Sequence, residues 1–394
     1  MKIIEIGTGY TSIPARMGAA TEIVVEELTK SLLKTNEEVM LVDVAADDRL
    51  PHSLPIIEVS VPKRFRKTDV QLGLLHKIKR IVYSVSLAKT LKKILKESED
   101  NFIIHFHNQY NLFFFLRLTS KKIRRNARII YTNHSYIWHD EWDNIKDTIK
   151  KKYFQEVFCM KNADKVFVLN EHTRNNIIKY VGINEDKVVL IDNGVNTDVY
   201  SPLSKKVIEN YKKEHHLENK KIFVQVGSIC DRKNQYESLE LLLPLMKNDK
   251  DIVYCYAGGI IDPEYYNRIN ELAKKENIMD RVIYFGELKP GIELNKFYNM
   301  ANAMIFPSKA EGFSLVVIEA MSSGIPVIIR EELEFKLSNK CLKYKTKEDF
   351  NKLINNQIFN KDKHEELSKK VRQVVVKNYG WDSIAKEYLM KGSK

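Results

Sequence analysis

The chain holds 394 residues, 44% of them hydrophobic, with a formal net charge of +12. That length predicts two or three domains with well-filled cores, and no stretch reaches the ~18 uninterrupted apolar residues of a membrane-spanning helix. Four scattered cysteines, Cys159, Cys230, Cys255 and Cys341, show no CxxC spacing, which argues against a zinc site and for reduced thiols in a cytosolic protein.

The first predicted element is a strand, Ile3–Ile6, whose apolar run carries one acid, Glu5, unlike a signal peptide. Gly7-Thr8-Gly9 ends it, and Gly18-Ala19 opens a helix read over Glu22–Leu33. These glycines lie too far apart for a dinucleotide-binding GxGxxG. Gly18 and Ala19 are still small enough, at a helix N-terminus, to let a phosphate or sugar approach. Val39–Val44 is the next strand. Residues 60–128 then hold 17 Lys/Arg against four acids, an excess that accounts for the whole net charge. The clusters Lys63-Arg64-Phe65-Arg66-Lys67, Lys77-Ile78-Lys79-Arg80 and Lys121-Lys122-Ile123-Arg124-Arg125 are interleaved with apolar residues. They form either a solvated basic face or a surface for anionic lipid headgroups or a polyanionic acceptor. No motif that reads nucleic acid accompanies them.

Phe102–His107, Ile129–Thr132 and Val166–Leu169 are short apolar strands. His105 and His107 share a face by strand alternation, and His134 closes the following run, Tyr131-Thr132-Asn133-His134. Three histidines could suggest a metal, but no carboxylate stands at ligand spacing beside them, so none is expected. The pattern resets at Asp192-Asn193-Gly194-Val195-Asn196, with Pro202 following. A second set of strands comprises Ile222–Gly227, Ile252–Ala257, Val282–Phe285, Ala303–Phe306 and Val327–Ile329. The alternation predicts an α/β protein with parallel sheets, in two Rossmann-like halves joined near 193–202.

In the second half the loop Gly227–Gln235 puts Arg232 and Lys233 at the carboxyl end of a strand, where open α/β sheets bind ligands. They are either solvated cations or ligands of a diphosphate. Asp249-Lys250-Asp251 precedes a strand in a charged loop and is not expected to chelate. After Ala303–Phe306, a short loop carries Glu311 and Gly312, and the helix beyond it carries Glu319. Glycine permits close backbone approach and a helix start offers unpaired N–H groups. Two carboxylates there either accept sugar and ribose hydroxyls or are solvated acids beside a capped helix. The last segment, Tyr379-Gly380-Trp381-Asp382 through Tyr388-Leu389, is an amphipathic helix that either ends the second half or crosses back to the first.

Together these pieces resemble, over nearly the whole chain, the retaining GT-B glycosyltransferases of the glycogen-synthase-like group 1 (family 4) type. Ala163-Asp164-Lys165-Val166-Phe167-Val168-Leu169 and Asp192-Asn193-Gly194-Val195-Asn196-Thr197 look like the family's segments before the linker. Glu311 to Glu319 resembles its E-x7-E element, followed by the usual E-A-M…G-x-P-V. Arg16-Met17-Gly18-Ala19-Ala20-Thr21-Glu22 resembles its G-G-A-x-E loop, with Ala19 replacing the second glycine.

The resemblance implies two Rossmann-like domains facing across a cleft. An acceptor-binding domain would span 1–197, a nucleotide-sugar-binding domain 198–376, and a helix at 377–394 would return to the first. It implies a metal-independent, retaining, hexosyltransferase-type enzyme without a cofactor. A nucleoside-diphosphate sugar would be its donor, and a glycan or lipid-linked molecule of cell-envelope or glycoconjugate synthesis its acceptor. His134, Glu311 and Lys233 would be catalytic. Gly18, Ala19, Ser228, Arg232, Lys233, Glu311, Gly312, Phe313, Ser314, Leu315 and Glu319 would hold the donor. His107 with Lys63, Arg64, Arg66 and Lys67 would face the acceptor or an anionic membrane surface. The expected location is cytoplasmic, peripheral at the inner membrane face, with no nucleic-acid partner.

The chain departs from the family pattern twice. Ser228 stands where an arginine usually follows the glycine, and Arg330–Glu334 runs on to Lys340-Cys341-Leu342 without the usual glycine-bearing loop and G-x-L-V strand. Ser228 favours the competing expectation, a non-catalytic nucleotide-binding or structural protein on the same scaffold.

Overall fold

Short strands buried on both faces cannot stand alone in water, and here they assemble into two parallel sheets with helices packed on them. The computed structural model describes residues 1–15, 19–67, 74–135, 137–139, 143 and 146–393. They fall into two compact units, Met1–Gly194 with Trp381–Lys394, and Val195–Gly380. The breaks thus fall at two glycines, where the sequence reading placed them at 197 and 376.

The first unit contains β1 (Lys2–Ile6), β2 (Glu38–Val44), β3 (Ile56–Val59), β4 (Phe102–Phe106), β5 (Ala127–Thr132), β6 (Lys165–Val168) and β7 (Val188–Leu190). Their order in the sheet is β3-β2-β1-β4-β5-β6-β7, every pair parallel. The winding therefore reverses between β1 and β4. On one face Ile4, Ile6, Ile104 and Phe106 pack with Tyr83 and Leu87 of the helix Leu74–Glu97 and Leu112 and Phe115 of the helix Gln109–Leu118. Alternation sends Glu5 and His105 to the opposite face, where Tyr388 of the helix Trp381–Ser393 meets the His105 ring at 5.5 Å.

That terminal helix lies against the helix Ala20–Leu32. Asp382 accepts hydrogen bonds from Ser31 and Lys34, each at 2.8 Å. The buried Trp381 ring covers Gly194, where a Cβ would fall 2.5 Å from the indole. Glycine is required there by close approach.

The second unit contains β8 (Lys221–Val226), β9 (Ile252–Ala257), β10 (Val282–Tyr284), β11 (Ala303–Phe306), β12 (Val327–Arg330) and β13 (Leu342–Tyr344). The order is β10-β9-β8-β11-β12-β13, again parallel, with the reversal between β8 and β11. One face packs Val224, Met304 and Val327 with Ile318 and Val375, and the other packs Phe223, Tyr254 and Ile305 with Leu239, Leu242 and Ile269.

Three strands escaped the sequence reading: β3, β7 and β13. Each has three or four residues and stands at a sheet edge, too short to display a period-2 pattern. β13 also corrects the reading of the segment after Arg330. Ile328 pairs with Leu342 and Arg330 with Tyr344, so a strand exists there without the glycine-bearing sequence.

Truncating Trp381 to alanine removes a buried ring from the first unit. Urea unfolding is expected to show a loss of about 3 kcal/mol or more; a change under about 1 kcal/mol would place the terminal helix outside that unit's core.

Candidate functional site

Because β8 and β11 are neighbours at a reversal, the loops that follow them leave the same sheet edge and meet there, the position at which open α/β sheets hold ligands. After β8 the chain passes Gly227, whose φ of +149° suits glycine. The loop after β11 is tied to it: Lys309 N–H donates to the Arg232 carbonyl at 2.9 Å.

Three donors converge on one oxygen of the buried Glu311 carboxylate. Lys233 Nζ lies 2.6 Å from Oε1, Ser308 Oγ 2.5 Å and Arg232 Nη1 3.1 Å. Burial lowers the Lys233 pKa and Glu311 opposes that effect. Two cations against one acid leave an excess positive charge at the strand ends. Arg232 also donates to the Ala310 carbonyl at 3.1 Å. Ser228, where arginine was expected, is half-buried, and its carbonyl accepts from Gln235 Nε2 at 3.0 Å.

Gly312 and Phe313, both half-buried, lead to the helix Leu315–Ser322. Ser314 occupies its N-cap position without capping it, and the buried Ser314 hydroxyl has no hydrogen-bond partner. With the unpaired N–H groups of a helix's first turn, it makes a set of donors beside Lys233's loop. Farther along the same helix the buried Glu319 carboxyl accepts from the Tyr298 hydroxyl at 2.9 Å. Burial pushes Glu319 up to about 7, against the hydrogen bonds from Tyr298 and Tyr200.

At the reversal of the first sheet stands a second polar cluster. Register sets Glu5 of β1 opposite His105 of β4. The Glu5 carboxylate lies 3.1 Å from His105 Nδ1 and 2.9 Å from His107 Nε2. His105 Nε2 is 2.7 Å from the Thr132 hydroxyl, and His107 Nδ1 is 3.0 Å from His134 Nε2. Burial alone would raise the Glu5 pKa, but His105 and the bonds from both rings hold it down at about 2. Burial and the neighbouring His105 bring His107 down to about 4; burial, then His107 and last His105, push His134 down too. The segment around His134 is clamped by the buried Glu156 carboxyl, which accepts from Tyr131 at 2.9 Å, Asn133 at 2.7 Å and Trp138 at 3.0 Å.

This cluster corrects two expectations. His107 does not face an acceptor, because its side chain is fully buried and reaches outward only through His134. And a carboxylate does stand beside the histidines: Glu5, His105 and His107 bring three metal-competent atoms within 4.8 Å of one another, each already engaged in a hydrogen bond. The acid interrupting an apolar strand was the available signal; nothing local in the sequence paired it with His105.

The remaining predicted residues are dispersed. Gly18 lies outside the described residues, while Ala19 is buried just before the helix Ala20–Leu32. Lys63, Arg64 and Lys67 are exposed around a short 3-10 turn, and Arg66 is half-buried, 3.5 Å from Asp47. Asp249 and Asp251 pair with Lys221 and Lys220 at 2.8 and 2.7 Å.

Glu319 makes a pH signature. Its carboxyl stays neutral in the folded chain up to about pH 7 but ionises near 4.5 when unfolded, so stability falls as pH rises between those values, by roughly 3 kcal/mol. Urea titrations from about pH 4.5 to 8 should show that Glu319→Gln removes this slope; parallel profiles for the two proteins would contradict it.

Comparison with known proteins joins the two units. Residues 21–199 match the family model described as Glycosyltransferase Family 4, and residues 207–375 that of glycosyl transferases group 1. A D-inositol 3-phosphate glycosyltransferase of Corynebacterium aurimucosum is 26% identical, covering 48% of this chain and 46% of the relative. The O-antigen biosynthesis glycosyltransferase WclY of Escherichia coli is 28% identical over 52% of this chain and 54% of its own. The chain thus spans about half the length of these curated relatives. Anabaena HepE, solved with UDP and glucose, superimposes with a TM-score of 0.73 at 14% identity, covering 100% of both chains. The chain has the GT-B fold and belongs to the group 1 glycosyltransferases.

Proposed function

We propose that this chain transfers a sugar, with retention of anomeric configuration, from a nucleoside-diphosphate sugar to a glycan or lipid-linked acceptor in cell-envelope or glycoconjugate synthesis. The observation that carries this reading is the Lys233–Glu311 pair, 2.6 Å apart at the reversal of the second sheet. When the bond from the anomeric carbon to the diphosphate breaks, negative charge grows on the leaving oxygens. Lys233, Arg232, the first N–H groups of the helix Leu315–Ser322 and the Ser314 hydroxyl can stabilise that charge. They supply the positive potential from the chain itself, so the reading requires no resident metal. Glu311 orients Lys233 and can accept a donor-sugar hydroxyl, and Glu319 can accept from ribose. His134 takes the role of the ring beside the transferring sugar.

The relatives support this choice of chemistry. HepE has been solved with UDP and glucose, and WclY is named for O-antigen biosynthesis. The acceptor side would work at an anionic membrane surface on the cytoplasmic side. Leu75, Ile78 and Ile81 are exposed on the helix Leu74–Glu97, alongside exposed Lys77 on the same helix. Exposed apolar side chains beside cations suit a lipid headgroup layer.

Two experiments test the reading. UDP, ADP and GDP, alone and as sugars, are screened by thermal shift; a ligand at about 100 times its Kd adds about 2.7 kcal/mol. With the responding donor, Lys233→Ala and Glu311→Gln are each expected to lower kcat roughly 100- to 1,000-fold with the fold intact, and NMR of the product should show the donor's anomeric configuration. Near-normal turnover in both variants would refute the site. Separately, the chain should sediment with anionic vesicles at low salt and release at high salt, whereas equal, salt-insensitive binding to neutral vesicles would remove the membrane assignment.

A further inference from the structure

The five polar groups at the reversal of the first sheet form one continuous hydrogen-bonded line, from Thr132 through His105, Glu5 and His107 to His134. A carboxylate can only accept, so each ring nitrogen facing Glu5 carries its hydrogen. For His107 that nitrogen is Nε2, 2.9 Å from the carboxylate. A neutral imidazole has one hydrogen, which leaves His107 Nδ1 with a lone pair. The contact of 3.0 Å from that atom to His134 Nε2 then requires the hydrogen to come from His134.

We propose that Glu5 is a positioning residue: acting through His107, it fixes His134 in the Nε2–H tautomer and leaves Nδ1 as that ring's acceptor. Among the described residues, Glu5 is the group that gives the line its direction. At the far end, the Thr132 hydroxyl can donate or accept, so it imposes no orientation on His105. Of the three rings, His105 and His107 are buried and His134 alone is half-buried. The depressed affinities of Glu5 and His107 for protons agree with this assignment, at about 2 and about 4.

The consequence concerns what the half-buried His134 ring can hold. With Nδ1 as acceptor, His134 selects a hydrogen donor, such as a hydroxyl of the sugar or of its acceptor, over a phosphate or carboxylate oxygen. This catalytic consequence rests on the proposed transferase reading; the tautomer itself does not.

The test uses the full chain labelled with 15N-histidine, its ring nitrogens read by two-bond 1H–15N correlations at neutral pH, with His134 assigned through His134→Gln. His107 and His134 are each expected to show a single Nε2–H pattern. In Glu5→Gln the amide can donate as well as accept toward His107, so both rings should populate the other tautomer. The variant's kcat with a nucleotide sugar should fall about tenfold at unchanged donor KM. An Nδ1–H pattern for His134 in the unaltered chain overturns the proposal, as does a pattern unmoved by Glu5→Gln or stoichiometric metal bound to the purified protein. If Glu5→Gln does not fold, the spectrum of the unaltered chain decides alone. Were the chain to transfer no sugar from any donor, the functional reading would fail while the tautomer remained measurable.

Discussion

All strands in each sheet run parallel, so every segment that follows a strand leaves from one edge of its sheet. Only where the winding reverses do the following segments depart to opposite faces, opening a space between two strand ends. Each unit has one such place, between β1 and β4 and between β8 and β11. One polar cluster in each unit converges on these two places. Glu5, His105 and His107 come from the strands or ends flanking the first reversal, and Lys233, Arg232 and Glu311 from the loops after the strands flanking the second.

Burial of charge is tolerated at these edges because each charge is answered locally. The Glu311 carboxylate takes three donors on one oxygen, and Glu5 has a ring nitrogen on each side. Away from these edges, buried Asp43 of β2 is met on one oxygen by Arg49 at 2.8 Å and by the Ile13 N–H at 2.9 Å. A buried ion left unpaired costs several kcal/mol, so such sets hold their loops in one arrangement. Glu319 follows another rule: its partners among the described residues are the Tyr298 and Tyr200 hydroxyls, and it meets burial by holding its proton to higher pH.

The second unit was the more legible from sequence, and the reason is distance along the chain. Glu311 and Glu319 belong to one loop and the helix after it, so their relation shows as a spacing of eight residues. Lys233 and Glu311 lie 78 residues apart, but each follows a recognisable apolar strand, and strand ends are where ligands are sought. Glu5 gave no such indication. Its partners lie 100 and 102 residues away, and only the register of β1 on β4 brings them together. Among the short edge strands β10 was legible as the apolar run Val282–Phe285, but β3, β7 and β13 were not, their pairing being decided by a neighbour already in place. Ser228 remains a departure in sequence for which Arg232 supplies a cation on Glu311 from a different backbone position.

The discontinuity of the first unit sets an order of events during synthesis. Its sheet is complete by Leu190, but Trp381 and Tyr388 emerge only after the whole of Val195–Gly380 has been made. Until they arrive, Gly194 lacks its indole cover and His105 lacks the ring that lies 5.5 Å away. The strands that carry the histidine line thus precede, by the whole length of the second unit, the residues that complete its apolar cover. Domains generally fold as units as they emerge, and here the first unit draws its last helix from beyond the second. The apolar cover of the histidine line is therefore supplied by residues that follow the whole of the second unit in the chain.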